Sequence, residues 1–155
     1  MSQVRFATLS DIPFLLIMGN NMHKESRYAI YSFDDLKGAR LLRELIVSRQ
    51  GIVLMTDNAF LMGRVAEYFF GPTLYAYEYV LYVEPSARGG MDAVKLVKAY
   101  IVRAKILGAE DIHIENTTLV NTARSEAFFL RMGFKRIGGN FVMEFPKEVS
   151  NVRVC

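Results

Sequence analysis

Three strand-like segments follow one another in the middle of this chain with no helix between them, and that order constrains the fold more than any other feature. Residues 52–56, 59–70 and 74–83 are rich in aromatic, β-branched and other apolar side chains, and turn signals at Asp57 with Asn58 and at Gly71 with Pro72 separate them. A doubly wound parallel sheet needs a crossover helix between successive strands. The last two segments are expected to pair antiparallel, within a mixed sheet whose remaining strands alternate with helices.

Those helices are legible from spacing and caps. Residues 4–7 read as a short first strand. Ser10 is an N-cap candidate for a helix through about Met22, with Pro13 tolerated in its first turn. Ser32 and Asp34 are alternative caps for a second helix over residues 35–48, whose Leu36, Ala39, Leu42, Leu45 and Ile46 recur at helical spacing. After residue 92, the stripe Ala93, Leu96, Val97, Tyr100, Ile101, Ala104 and Leu107 marks a long amphipathic helix that Gly108 stops. Residues 111–115 read as a short strand, and Asn121 or Thr122 caps a helix ending near Met132. Residues 134–137 and 140–145 are expected to close the fold as two strands around Gly138 and Gly139. The fold class is α/β (α+β): a mixed, mostly antiparallel sheet with helices on both faces, in one domain over residues 1–147, followed by a polar tail over residues 148–155.

A length of 155 residues suits one continuous core, and 52% hydrophobic residues argue against disorder. No apolar run is long enough to span a bilayer, and the first residues lack a signal peptide's hydrophobic region. The single cysteine, Cys155, cannot form an internal disulfide, so a cytoplasmic setting is expected. The net charge of +3 is too mild, and its 19 basic residues too scattered, to mark a nucleic-acid surface. His23 has no second histidine and no suitably spaced carboxylate or thiol, so no metal is expected.

The loop before the long helix carries the chemical signal. Gly89 and Gly90 allow positive φ and close approach of a ligand, and a helix N-terminus presents free N–H groups and the positive end of a dipole. By itself a glycine pair before a helix points only weakly to phosphate. The wider context is specific. The opening at residues 5–11 (RFATLSD), the strand end at residues 83–85 (VEP), residues 88–93 (RGGMDA) with Leu96, and residues 128–134 (FFLRMGF) resemble the GNAT superfamily of Gcn5-related N-acetyltransferases. The likeness covers nearly the whole chain. Residues 22–28 (MHKESRY) also look like the first-helix region of small members common in bacteriophage genomes.

That resemblance implies transfer of an acetyl group from acetyl-CoA to an amine by direct attack in a ternary complex. The family's pyrophosphate loop runs Arg or Gln, two free positions, Gly, one free position, then Gly or Ala. Arg88 and Ala93 fit it, but Met91 stands where the inner glycine belongs. Backbone amides of Gly89, Gly90, Met91, Asp92 and Ala93 would then face the phosphates, with the Met91 side chain turned away. Glu78 lies five residues before Val83, where several members carry a catalytic glutamate. Simple alternation places it with Ala76, Val80 and Tyr82 on one face of a covered sheet, where desolvation raises its pKa toward that of a useful base. A structural glutamate paired with Arg or Lys is the other reading. Backbone amides at Leu81, Tyr82 and Val83 would receive the thioester carbonyl, beside a bulge that splays the strands. Asn116 and Asn121 sit where members often hold the pantetheine or a water, although Asn121 also reads as a plain helix cap.

Phe129 departs from the pattern of many family members, which place a proton-donating tyrosine there. Ser125 is a poor substitute, and Tyr28, Tyr31, Tyr82 or water remain for protonating the leaving thiolate. The acceptor, a small-molecule or protein amine, is expected against His23, Glu25, Arg27, Tyr28 and Tyr31. The row Tyr75, Tyr77, Tyr79 is expected to pack, and His113 to be structural. A catalytically silent GNAT fold that binds acyl-CoA or a host protein as a regulator is the alternative function. A homodimer is compatible with the size.

Overall fold

The computed structural model describes residues 2–147. The predicted tail at residues 148–155, with Cys155, lies outside the described residues. Five strands form one sheet in the order β1 (Arg5–Phe6), β2 (Gly51–Met55), β3 (Ala59–Glu67), β4 (Leu74–Val83) and β5 (Asp111–His113). Every neighbouring pair is antiparallel except β4 and β5, which are parallel. The helices are α1 (Ile12–Glu25), α2 (Asp35–Val47), α3 (Asp92–Ile106) and α4 (Thr122–Arg131).

Both faces of the sheet are covered, which explains why β2 reads as an unbroken apolar run. Ile52 and Leu54 join Leu61, Ala76, Leu96 and Tyr100 beneath α3. Val53 and Met55 point the other way, joining Leu15, Met18, Leu45, Phe60 and Tyr82 beneath α1 and α2. Each Leu or Ile so buried contributes about 1.5–3 kcal/mol relative to solvent exposure.

The caps settle several boundaries. Ser10 does not cap α1. Instead Leu9–Asp11 form a 3₁₀ turn, in which the Asp11 carboxylate accepts the Thr8 N–H at 2.7 Å and both Arg5 Nη groups at 2.7 Å. Asp34, not Ser32, caps α2 by accepting Lys37 N–H at 3.0 Å. Gly108 ends α3 at φ +90°, with its N–H on Lys105 O and the Ala109 N–H on Ala104 O, both at 3.0 Å.

Two expectations about strands fail. The antiparallel strand expected to reach Phe70 stops at Glu67, leaving Phe69 and Phe70 exposed at the hairpin tip. No strand forms at residues 134–137 or 140–145: Phe134 packs against the α3-side core, while Phe141 is 98% exposed. Alternation supplies a face but not a partner, and β5 offers an edge only three residues long.

Candidate active site

Strands β4 and β5 pair only at Tyr75 with Asp111, Ala76 with Ile112, and Tyr77 with His113. β5 then ends while β4 continues to Val83. The free edge of β4, the chain after β5, and the facing ends of α3 and α4 enclose a cleft of ≈ 1060 Å³.

A bulge shapes this edge. Met62 pairs with Val80, yet Gly63 pairs with Glu78, so Tyr79 is the extra residue on β4. The bulge lies two residues before the stretch 81–83 where it is expected, and it reverses the parity of the strand. Ala76, and with it Glu78, face α3, whereas Val80 and Tyr82 belong to the core beneath α1 and α2. The expected grouping of Glu78 with Val80 and Tyr82 is therefore wrong, because alternation does not survive an inserted residue. Opposite Glu78, Gly63 leaves the space that the Tyr100 hydroxyl occupies. A Cβ there would lie 2.2 Å from that oxygen and 2.3 Å from Tyr77 O. Tyr100 donates instead to Tyr77 O at 2.8 Å.

Glu78 lines the cleft without an ion-pair partner among the described residues. Burial pushes its carboxyl up to about 8. The charge of Glu115 adds to this, and hydrogen bonding from the Glu115 and Leu81 backbone works against it. A carboxyl so placed takes up and releases a proton near neutral pH, which is the property a general base needs.

Leu81, Tyr82 and Val83 line the same cleft, as do Arg88, Gly89, Gly90 and Ala93. Arg88 is fully engaged. Its Nε donates to Val83 O at 2.9 Å, its terminal nitrogens pair with Glu25, and its guanidinium lies 5.7 Å from the Tyr82 ring centroid. Glu25 therefore clamps the loop and is not free to attract an acceptor. Gly89 adopts φ +89°, the conformation that glycine accommodates. Met91 is exposed, outside the cleft, and its side chain does not fill the loop. Asp92 opens α3, and the N–H groups of Asp92, Ala93 and Val94 precede the first intrahelical bond, from Lys95 N to Met91 O.

The other predicted site residues divide. Asn116 donates to Thr122 O at 3.0 Å, and Asn121 accepts Arg124 N–H at 3.1 Å; both line the cleft while fixing the start of α4. Tyr28 also lines the cleft, donating to Thr117 Oγ1 at 2.7 Å, and Arg27 N–H bonds to Thr118 O at 2.8 Å. The turn Arg27–Ile30 thus ties the end of α1 to the chain after β5. His23, Arg27 and Tyr31 do not line the cleft. His23 Nε2 lies 2.8 Å from Tyr31 O, Arg27 pairs with Glu144, and Tyr31 is exposed.

Two cationic residues of the cleft escaped the sequence reading, Arg124 and Arg131, both on α4. The nearest atom to a Cβ placed on Gly89 is Arg124 Nη2, at 3.9 Å. Neither arginine has an ion-pair partner among the described residues. The signal was available: Arg124, Phe128 and Arg131 fall at i, i+4 and i+7 on one helical face. Phe128 and Phe129 supply the apolar part of that wall. Among the described residues no three His, Cys, Asp or Glu side chains come together as a metal site, and no helix is long and apolar enough to cross a membrane.

No family model and no curated protein sequence matches the chain. Solved structures do. A transcriptional regulator from Bacillus halodurans C-125 is 19% identical, covering 94% of this chain and 100% of its own, with TM-score 0.76. Glucosamine-6-phosphate N-acetyltransferase from Arabidopsis thaliana is 12% identical over 94% and 99% of the two chains, with TM-score 0.73. An aminoglycoside acetyltransferase from an uncultured soil metagenomic sample, solved with sisomicin, is 15% identical over 94% and 97%, with TM-score 0.69. The chain has the fold of the GNAT acetyltransferases, with a single mixed sheet that stays open.

Proposed function

We propose that this protein is an acetyl-CoA-dependent N-acetyltransferase in which Glu78 is the general base. One observation carries the reading: a carboxyl with its pKa pushed up to about 8 sits at a bulge on the free edge of β4, in the cleft where β4 and β5 separate.

In this reading, N–H groups at the start of α3 and the unpaired Arg124 and Arg131 receive the phosphates of acetyl-CoA, and Gly89 lets the chain approach them closely. The unpaired β4 edge receives the pantetheine arm as an added strand would be received. The acceptor amine forms its C–N bond to the acetyl carbon, the C–S bond breaks, and Glu78 takes the amine proton. Backbone donors at Leu81 to Val83 oppose the negative charge that grows on the carbonyl oxygen. For the departing thiolate, Tyr82 already donates to Glu84 at 3.1 Å and Tyr28 to Thr117, while Tyr31 lies outside the cleft. Water is then the proton source.

Glu78→Gln tests the assignment. Thiol release from acetyl-CoA with an amine acceptor falls by about 10²–10⁴-fold, the range typical of a lost general base, while acetyl-CoA affinity stays within about twofold, a change of some 0.4 kcal/mol. Full activity in this variant would remove Glu78 from the mechanism.

A second reading, an acyl-CoA-binding regulator without turnover, is favoured by Phe129, which brings no proton to the cleft. A similarly folded protein is described as a transcriptional regulator. Under that reading acetyl-CoA binds, but no amine yields free thiol.

A further inference from the structure

The sheet carries an aromatic row that neither core uses. Tyr75, Tyr77 and Tyr79 project from β4 on the face away from α3, and His113 continues the row on β5. Successive ring centroids lie 5.0 Å (His113 to Tyr75), 5.7 Å (Tyr75 to Tyr77) and 5.2 Å (Tyr77 to Tyr79) apart. None of the four belongs to either buried cluster: the tyrosines pack, as expected, but on one another and not into the core. α1 and α2 cover this face of the sheet through Phe60 and Tyr82, leaving the row half-exposed and Tyr79 39% exposed. All four residues line the cleft that contains Glu78.

The chemistry of the row is narrow. The Tyr77 and Tyr79 hydroxyls lie 3.2 Å apart and bond to each other, so the row presents ring surface more than hydrogen-bonding groups. Burial and the neighbouring Tyr79 hydroxyl push the Tyr77 phenol up to about 12, which keeps it neutral. Arg64, which reaches the Tyr79 hydroxyl, is held by Glu44 at 2.9 Å. At the β5 end the Glu115 side chain lines the cleft, while Asp111 Oδ1 lies 3.2 Å from His113 Nε2. Ring faces beside the Glu115 carboxylate attract an ammonium and apolar surface. Tyr77 and Tyr79 already meet edge to face, 5.2 Å apart at 78°, so a ring laid over the row meets one edge and one face, the contacts that aromatic pairs favour.

Resting on the acetyl-transfer reading of Glu78, we infer that this row is the acceptor shelf. The acceptor is a primary amine carried on an apolar, ring-bearing body, of the arylalkylamine class, and Tyr79 is a specificity-determining residue.

The probe is 2-phenylethylamine, compared with sisomicin and spermidine as acceptors for the full chain, with its direct binding followed by calorimetry. The expected kcat/KM for 2-phenylethylamine is higher than for either alternative by about tenfold or more, corresponding to roughly one aromatic contact pair. Tyr79→Ala raises its KM by about tenfold and weakens its calorimetric Kd in parallel, with the loss falling on KM and not on kcat. Tyr79→Phe, which keeps the ring, restores both. Preference for sisomicin or spermidine, or a KM that Tyr79→Ala leaves unmoved, overturns the shelf. So does acetyl-CoA binding with 2-phenylethylamine neither bound nor acetylated. Absence of acetyl-CoA binding is a separate result, and it removes the acetyl-transfer reading itself.

Discussion

Glu78 and Gly63 face each other across β3 and β4, and each has a measurable signature. The Glu78 carboxyl is raised from its ordinary value of 4.5 to about 8 because burial disfavours its charge. The folded state then binds a proton more tightly than the unfolded state between those two values. Stability therefore falls as pH rises across that window and levels off above it. Glu78→Gln removes the titration, so its Tm relative to wild type should climb between pH 5 and pH 9 in thermal denaturation; parallel curves would place the carboxyl in water. Gly63 admits no Cβ, with Tyr100 Oη at 2.2 Å and Tyr77 O at 2.3 Å from where it would lie. Gly63→Ala should cost about 1–3 kcal/mol, the usual penalty of overpacking, and move Glu78 away from the cleft. Tyr100→Phe, which only strands the Tyr77 carbonyl, should cost about 1–3 kcal/mol without moving Glu78. Denaturant titration gives both costs, and a gain in stability from Gly63→Ala would contradict the packing described.

At the scale of elements, α4 contributes more than its sequence first suggests. Arg124 lies beside Gly89 with no acidic partner among the described residues, at the end of the cleft where phosphates are proposed to sit. Arg124→Glu should weaken acetyl-CoA binding by about 10–100-fold, the worth of one charge-assisted hydrogen bond, and more so at low salt. Unchanged affinity would move the phosphates elsewhere. The stop at Gly108 was legible, and Asp34 and Asn121 stood among two candidates each, because one side chain makes a cap; Ser10 was not the cap of α1, since the 3₁₀ turn Leu9–Asp11 intervenes. What was not legible depends on partners distant in sequence. Nothing in the run of residues 74–83 marks Tyr79 as the inserted residue, since the bulge is defined only against Met62 and Gly63. The same holds for residues 134–145, which alternate like strands but find no edge to join.

For the whole molecule, the antiparallel centre and the helices on both faces follow from the strand order and the apolar stripes, and the similar solved structures share that architecture. The candidate site divides along the same line as the elements. Residues close to the chain's own landmarks, such as Glu78 and the loop from Arg88 to Gly90, line the cleft, whereas Glu25 turns out to clamp Arg88 and His23, Arg27 and Tyr31 lie outside. The residues around α1 were placed by analogy with a neighbourhood, and their ion pairs are long-range contacts that no local pattern encodes. The central claim is that the cleft between β4 and β5 holds acetyl-CoA, and calorimetric titration of acetyl-CoA into the protein tests it most directly. Saturable binding of one molecule per chain is the predicted result. No heat of association, or a heat that Arg124→Glu does not alter, would contradict it.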